Sequence, residues 1–246
     1  MERPGGVHED DPPGGHRVNP EHAALIDGEP LPRERVDSFL ETRPSRGAGL
    51  YQFAAPPRGA TSHNEPAPAR RQPEAPSVAR QRRRWATQVV VTDELARRAC
   101  AARGLEPPPE VSPAKILTLA ESDVADLGSI VAAALAHSPA ARTLLAALEA
   151  EQTVPETAVR DYYERNQDRF LTPDALRRGV TPFDGATPQD IRPYDEVRDH
   201  ITRELRTAAG RQAFFGWLDQ SRAGVTYSHG HEHPGDPSHP DHEHRH

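Results

Sequence analysis

Proline sets the first constraint on this chain. The 246 residues include 26 Pro and 17 Gly, against 35% hydrophobic and 5% aromatic residues. So much backbone punctuation cannot run through one continuous core of that length, because Pro removes a donor and breaks both helices and central strands. The apolar residues must be concentrated in part of the chain. Residues 1–20 carry paired Pro and Gly with almost no apolar residue and read as a disordered arm. Pro44 to Arg80 has the same character and reads as a Pro/Arg-rich linker of residues 44–80 inserted in the body. Ser228 to His246 is a third low-complexity segment, a tail.

Between these segments the text turns helical. Trp85, Val89 and Leu95 predict a helix from about Gln81 that stops at Gly104, with Pro107-Pro108-Pro109 enforcing the break. Val124, Leu127, Ile130, Val131 and Leu135 mark a second amphipathic stretch, with Gly128 read as a point of close helix packing. Ser138-Pro139 caps and starts a third, which turns Leu144, Leu145 and Leu148 inward. Val159, Tyr162 and Tyr163 form the face of a fourth, and Phe170 lies just past its end. Val197, Ile201, Leu205, Phe214, Trp217 and Leu218 line a long helix over 194–222. His22 to Ile26 and Val225 to Tyr227 read as short strands, and Val36, Phe39 and Leu40 as the face of a first helix over about 32–41.

Several function classes fall away. With 30 basic and 37 acidic residues, the net charge of -7 disfavours a nucleic-acid or anionic-membrane partner. Arg82-Arg83-Arg84-Trp85 reads as a helix start with Trp85 inward rather than a stacking phosphate patch. One cysteine, Cys100, excludes an intrachain disulfide and a Cys-based zinc site, and its Ala-rich surroundings suit a small core residue. No stretch approaches the roughly 20 apolar residues of a membrane span, and the N-terminus lacks the apolar stretch of a signal peptide. The expected address is the cytoplasm. No GxSxG elbow, Walker loop or GxGxxG is present, so no catalytic residue is assigned.

The chemical signal is in the tail. Seven of the 13 histidines fall between His229 and His246. Neutral imidazole is a ligand for borderline transition metals near pH 7. If the tail is extended, alternate residues project together. His229, His231 and His233 then form one trio and His242, His244 and His246 another, with His239 between them and Asp236 as an oxygen ligand. The Pro234-Gly235-Asp236-Pro237 turn composition allows both trios to reach one ion. The expected cofactor is a divalent transition metal, and affinity order does not choose among Zn, Ni, Co and Cu.

Ala24-Leu-Ile-Asp-Gly-Glu-Pro-Leu-Pro-Arg-Glu-Arg-Val-Asp-Ser-Phe-Leu40 resembles the opening of the SurA and parvulin-type foldases. Val154 to Phe170, with its Tyr162-Tyr163-x-x-Asn166-x-x-x-Phe170 pattern, is similar to a helix of that family, and Tyr194 to Leu218 to its closing helix. The resemblance implies a mainly α, SurA-like helical chaperone domain formed by residues 22–43 and 81–227. In it, a small two-stranded β pairing joins Leu25 and Ile26 to Val225 and Tyr227, and the first helix packs on the closing one. Isomerase members carry a parvulin domain of roughly one hundred residues before the closing helix, whereas Leu171 to Arg192 is too short for a folded domain. Prolyl isomerase activity is therefore not expected. The reading is a chaperone-like protein that binds a client polypeptide and carries a metal-binding tail, suited to metalloprotein maturation. The alternative is a metal-dependent enzyme whose centre the His cluster completes.

Overall fold

A computed structural model describes residues 21–41, 43–44, 75–109, 116–117, 119, 121–181 and 185–232. The expected arm, most of the expected linker and the tail beyond Glu232 lie outside these residues. The fold is mainly α with a small antiparallel sheet, as expected from the sequence.

The sheet joins the two ends of the described body. Strand β1 (His22–Ile26) pairs antiparallel with β5 (Val225–Tyr227), with Ala24 opposite Tyr227 and Ile26 opposite Val225. The expected two strands are three. Asp27 (φ 51°) and Gly28 (φ 83°) both take positive φ in a two-residue hairpin loop, the geometry that reverses a twisted strand tightly. That turn brings Glu29–Pro32 back as β2 on the other side of β1. Pro30 and Pro32 are tolerated because β2 is an edge.

Helix α1 (Arg33–Glu41) buries Val36 and Phe39. It lies against α2 (Pro76–Arg103) and the β1–β2 hairpin, which differs from the expected packing on the closing helix. Phe39 meets Trp85 of α2 at 5.7 Å and His137 at 4.8 Å between ring centroids. The contact is also electrostatic. Arg35 of α1 reaches Asp93 at 2.9 Å and Glu94 at 2.5 Å, both on α2. Arg98 of α2 closes the loop through Glu94 at 3.0 Å, Glu29 at 2.8 Å and the Ile26 carbonyl at 3.1 Å. Although burial raises the Glu94 carboxyl, the guanidiniums of Arg35 and Arg98 hold it below its ordinary range.

α2 starts at Pro76, so residues 76–80 belong to this helix and not to the linker. Pro at the first turn is pre-set for helix and loses no needed donor. Its end is the expected Gly104, in the left-handed region (φ 64°), with Leu105 N donating to Cys100 O and Gly104 N to Ala101 O. This is a Schellman stop. The middle of α2 is buried on every side: Ala86, Val89, Val90, Val91 and Ala96, but also Arg84, Thr87, Gln88, Thr92 and Asp93. Cys100 is buried and donates to the Ala140 carbonyl at 3.4 Å, a core role.

Two short strands, β3 (Arg43–Pro44) and β4 (Ile116–Leu117), pair in parallel. Helix α3 (Glu121–His137) is broken at Gly128 (φ 76°, ψ 157°). A Cβ there would meet nothing within 4 Å, so Gly128 supplies a bend and not the expected close packing. Ser138 caps α4 (Pro139–Ala150) by accepting from Ala141 N at 3.0 Å, and α3 and α4 meet at 111°. Close packing occurs instead at Gly210 of α7 (Tyr194–Arg222), where a Cβ would lie 2.7 Å from Glu149 Cα of α4.

α7 spans two cores. Its C-terminal half puts Phe214 and Leu218 into the main core around α2. Its N-terminal half puts Val197 and Ile201 into a second cluster with Val159 of α5 (Glu156–Arg165) and Phe170, flanked by Tyr162, Tyr163 and Tyr194. The interval between them is compact. A 3-10 turn (Gln167–Phe170), the short α6 (Pro173–Arg177) and a second 3-10 turn (Pro188–Asp190) lead back to an antiparallel bridge between Leu171 and Ile191. Thr172 N donates to Asp190 O and Arg192 N to Phe170 O, both at 2.8 Å, so the chain leaves and re-enters at one point.

Candidate functional site: the docked start of the histidine-rich tail

β5 places the tail. Tyr227 donates its hydroxyl to Gln88 Oε1 of α2 at 2.9 Å, and burial pushes its phenol pKa up. Ser228 N donates to Ala23 O at 3.0 Å, which extends the ladder one residue past the strand. The chain then turns: His231 N donates to Ser228 O at 2.9 Å, across Gly230 at φ 83°. Glycine fits that position because the turn needs positive φ there.

The turn separates the first two histidines. His229 points to solvent with its side chain 96% exposed, its Nδ1 3.4 Å from Glu232 Oε1. His231 is only 4% exposed and lies against α2, its Nδ1 2.8 Å from Thr87 Oγ1. Thr87 already donates its one hydroxyl proton to the Arg83 carbonyl at 2.9 Å. Its oxygen therefore accepts from His231, which puts the imidazole proton on Nδ1. Burial, with Arg33 and Arg83 nearby, pushes the His231 pKa down to about 4 despite Asp37 and Glu232. The ring is neutral at pH 7.

Next to it, Arg84 is buried and donates from Nε to the Glu232 carbonyl oxygen at 3.0 Å, with a Glu232 carboxylate oxygen 4.0 Å away. The carboxylate also accepts from Gly230 N at 2.7 Å, which holds the turn closed. A buried guanidinium needs such compensation, since removing either partner strands a charge or donor. Imidazole and carboxylate thus enter as a pair beside Thr87 and Arg84.

The alternating projection expected of an extended tail does not hold for His229 and His231, because β5 ends at Tyr227 and the turn sends their rings opposite ways. Among the described residues, no three His, Cys, Asp or Glu side chains converge as a metal would require. His233, Asp236, His239, His242, His244 and His246 lie outside the described residues. Residues 228–232 belong to the body and not to a separate tail. Thr87 and Arg84 were not singled out as site residues by sequence. The available signal was polar residues in and beside the apolar stretch of α2 from Trp85 to Leu95, since such residues need partners when buried.

A second feature is a cleft of about 360 Å³ between α3 and α4. Leu119, Leu127, Ala132, Leu135 and Ala136 form apolar walls, and Asp123 and Arg142 bring opposite charges to the lining. Arg142 donates to the last carbonyls of α3, at Leu135 (2.6 Å) and Ala136 (3.2 Å), where a cation favours the helix end. No single helix among the described residues is long and apolar enough to cross a membrane. No protein-family profile, characterised protein or solved structure matches the chain.

Proposed function

We propose that this chain is a chaperone-like protein whose helical body, of the SurA type without an isomerase insert, holds a client polypeptide while its tail captures a divalent transition metal. The observation that carries the reading is the closure of the body. Among the described residues the first strand pairs with the last, and the interval where isomerase members of that family carry their extra domain is spanned by the Leu171–Ile191 bridge. The α3–α4 cleft suits an apolar client side chain, with Asp123 and Arg142 to orient the flanking chain. Metal capture falls to His229 and to the histidines from His233 onward, because His231 is engaged with Thr87.

Aggregation of thermally unfolded citrate synthase, followed by light scattering, tests the client half. Suppression at near-stoichiometric protein is expected, and no suppression at excess protein removes the reading. Isothermal titration with Zn²⁺ and Ni²⁺ tests the tail. Binding should be lost in a full-length variant with His233, His239, His242, His244 and His246 all replaced by Ala. Unchanged binding places the metal elsewhere.

A further inference from the structure

The apolar pattern of α3 runs straight through a place where the helix itself does not. Val124, Leu127, Val131 and Leu135 fall three, four and four residues apart, the spacing of one continuous helix face. The backbone breaks that face at Gly128, whose φ of 76° and ψ of 157° lie in a region essentially closed to other residues. One residue absorbs the whole bend. A Cβ there would meet nothing within 4 Å, so no neighbour wedges it in place. Helical φ and ψ at Gly128 would make α3 a single straight helix with one apolar stripe. Glycine inside a helix is only modestly unfavourable, so that state is within reach.

The same break divides the α3–α4 cleft. Leu119, Asp123 and Leu127 line it from before Gly128, and Ala132, Leu135 and Arg142 from after it. The segment of α3 before the break, residues 121–127, is lightly held. Leu127 is buried and Val124 half-buried, while Glu121, Ser122, Asp123, Ala125 and Asp126 are exposed. Among the described residues, one side-chain bond ties this segment to another element: Arg211 of α7 donates to Asp126 at 3.1 Å, with both side chains partly exposed. Segments with few buried contacts and exposed bonds are the ones that open locally.

We propose that residues 121–127 are a hinged lid on the α3–α4 cleft, with Gly128 as the hinge and Arg211–Asp126 as the latch. In the closed state Leu127 forms part of the cleft wall. In the open state α3 is continuous, Leu127 leaves the cleft, and the stripe from Val124 to Leu135 meets an apolar client segment. A client that touches this stripe only in the open state shifts the balance toward opening. The client's part rests on the chaperone reading. The hinge does not, so either can fail alone.

The test uses the full chain with spin labels at Ser122→Cys and Ala146→Cys, both exposed positions; Cys100, 1% exposed, does not compete for the label. Distances are read by double electron–electron resonance. Without any client, Gly128→Ala should raise the population of a second, narrow distance by at least about two- to fivefold, the Gly-to-Ala difference in helix preference. Arg211→Ala should raise the same distance by a smaller factor, because the pair is exposed. Identical distributions in the labelled parent and both variants overturn the proposal. So does a broad smear without a second peak, which would mean that 121–127 melts. If Gly128→Ala fails to fold, Arg211→Ala alone decides. Reduced, carboxymethylated α-lactalbumin, an unfolded chain, is then added to the labelled parent, and the second distance should grow. Binding seen by fluorescence anisotropy with no change in distance overturns the gating. If nothing binds, the chaperone reading fails, and the client-free distances still judge the hinge.

Discussion

The two cores joined by α7 are built on opposite principles. The core around α2 is mostly aliphatic and rich in alanine, with Phe39 and Phe214 set into it, and it encloses a row of polar side chains of which Arg84, Thr87, Gln88 and Asp93 find partners on distant elements. The core between α5 and the start of α7 is small and flanked by aromatic rings, with Tyr163 tilted against Phe170 at 5.3 Å and edge-on to Tyr194 at 5.5 Å. Its charges stay outside: Arg198 meets Glu156 at 2.8 Å and Arg169 meets Glu204 at 2.6 Å, all on half-exposed side chains. Exposed pairs of that kind contribute between nothing and about 1 kcal/mol each. The aromatic cluster thus has few buried residues of its own, and α7 ties it to a larger partner. The difference teaches that one long helix serves two cores of unequal strength. Disruption should therefore spread from the α2 side and remain local on the other.

The largest effect is expected at the α2 side. Phe214→Ala removes a ring 1% exposed, in contact with Trp217 at 5.1 Å between centroids. The loss should be about 3–5 kcal/mol, with both cores melting together in thermal unfolding. If the aromatic cluster kept its near-UV signal after the main core had melted, the dependence would be the reverse of the one argued. Ile201→Ala strikes the aromatic side. Large-to-small changes there nominally cost about 2–5 kcal/mol, but local opening of α5 caps the global penalty. Hydrogen exchange at Val159 and Phe170 should accelerate more than exchange at Val89. Uniform acceleration would erase the distinction between the cores.

Gly210 sits between them. In Gly210→Ala, the new Cβ meets Glu149 backbone at 2.7 Å, and backbone cannot swing aside. Overpacking of about 1–3 kcal/mol should exceed the gain of about 0.5–1 kcal/mol in helix propensity. The net loss should appear in denaturant unfolding of that variant. The same substitution at Gly128 meets no atom, but its positive φ still penalises a side chain. A stabilised Gly210→Ala would mean that α4 and α7 are not in register there.

These two glycines illustrate what the sequence makes legible. A cap such as Ser138-Pro139 or a stop such as Gly104 acts within a few residues, so its chemistry is visible locally. The β1–β5 pairing is long-range, and it was anticipated through resemblance and apolar strand text at both ends. Gly210 has no local mark, since its reason is Glu149 on another helix. Arg84 reads only as part of a helix start and Thr87 carries no local signal of a partner, because their partners, Glu232 and His231, lie some 140 residues later. The tail's composition announced metal chemistry. It did not announce that Gly230 would turn one histidine inward. β2 was missed because its two prolines suit a helix start as well as an edge strand.

The smallest effect separates the regions by acid. His231 binds its proton in the unfolded chain near pH 6.5 but only at about 4 when docked. Docking is therefore fully favourable above pH 6.5 and weakens as pH falls toward 4, because undocked chain takes up the proton first. On the aromatic side, Glu156 is held below its ordinary 4.5 by Arg198 and Tyr194. Asp190 is held below 3.8 by the Thr187 amide and hydroxyl, with Arg178 adding. Their contributions stay intact until pH drops through those values. Between pH 6.5 and 4.5, then, the Ser228–Glu232 turn should loosen alone. In metal-free buffer, amide exchange at His231 and Glu232 should rise across that window while Val159 and Ile201 stay protected. Thr87→Val should raise the onset pH of loosening by removing the oxygen that accepts from Nδ1. The global melting temperature should change little, because a turn that opens by itself loses only its own docking energy. Exchange that is flat at His231 down to pH 4.5 would show that the ring is held by packing and not by its proton.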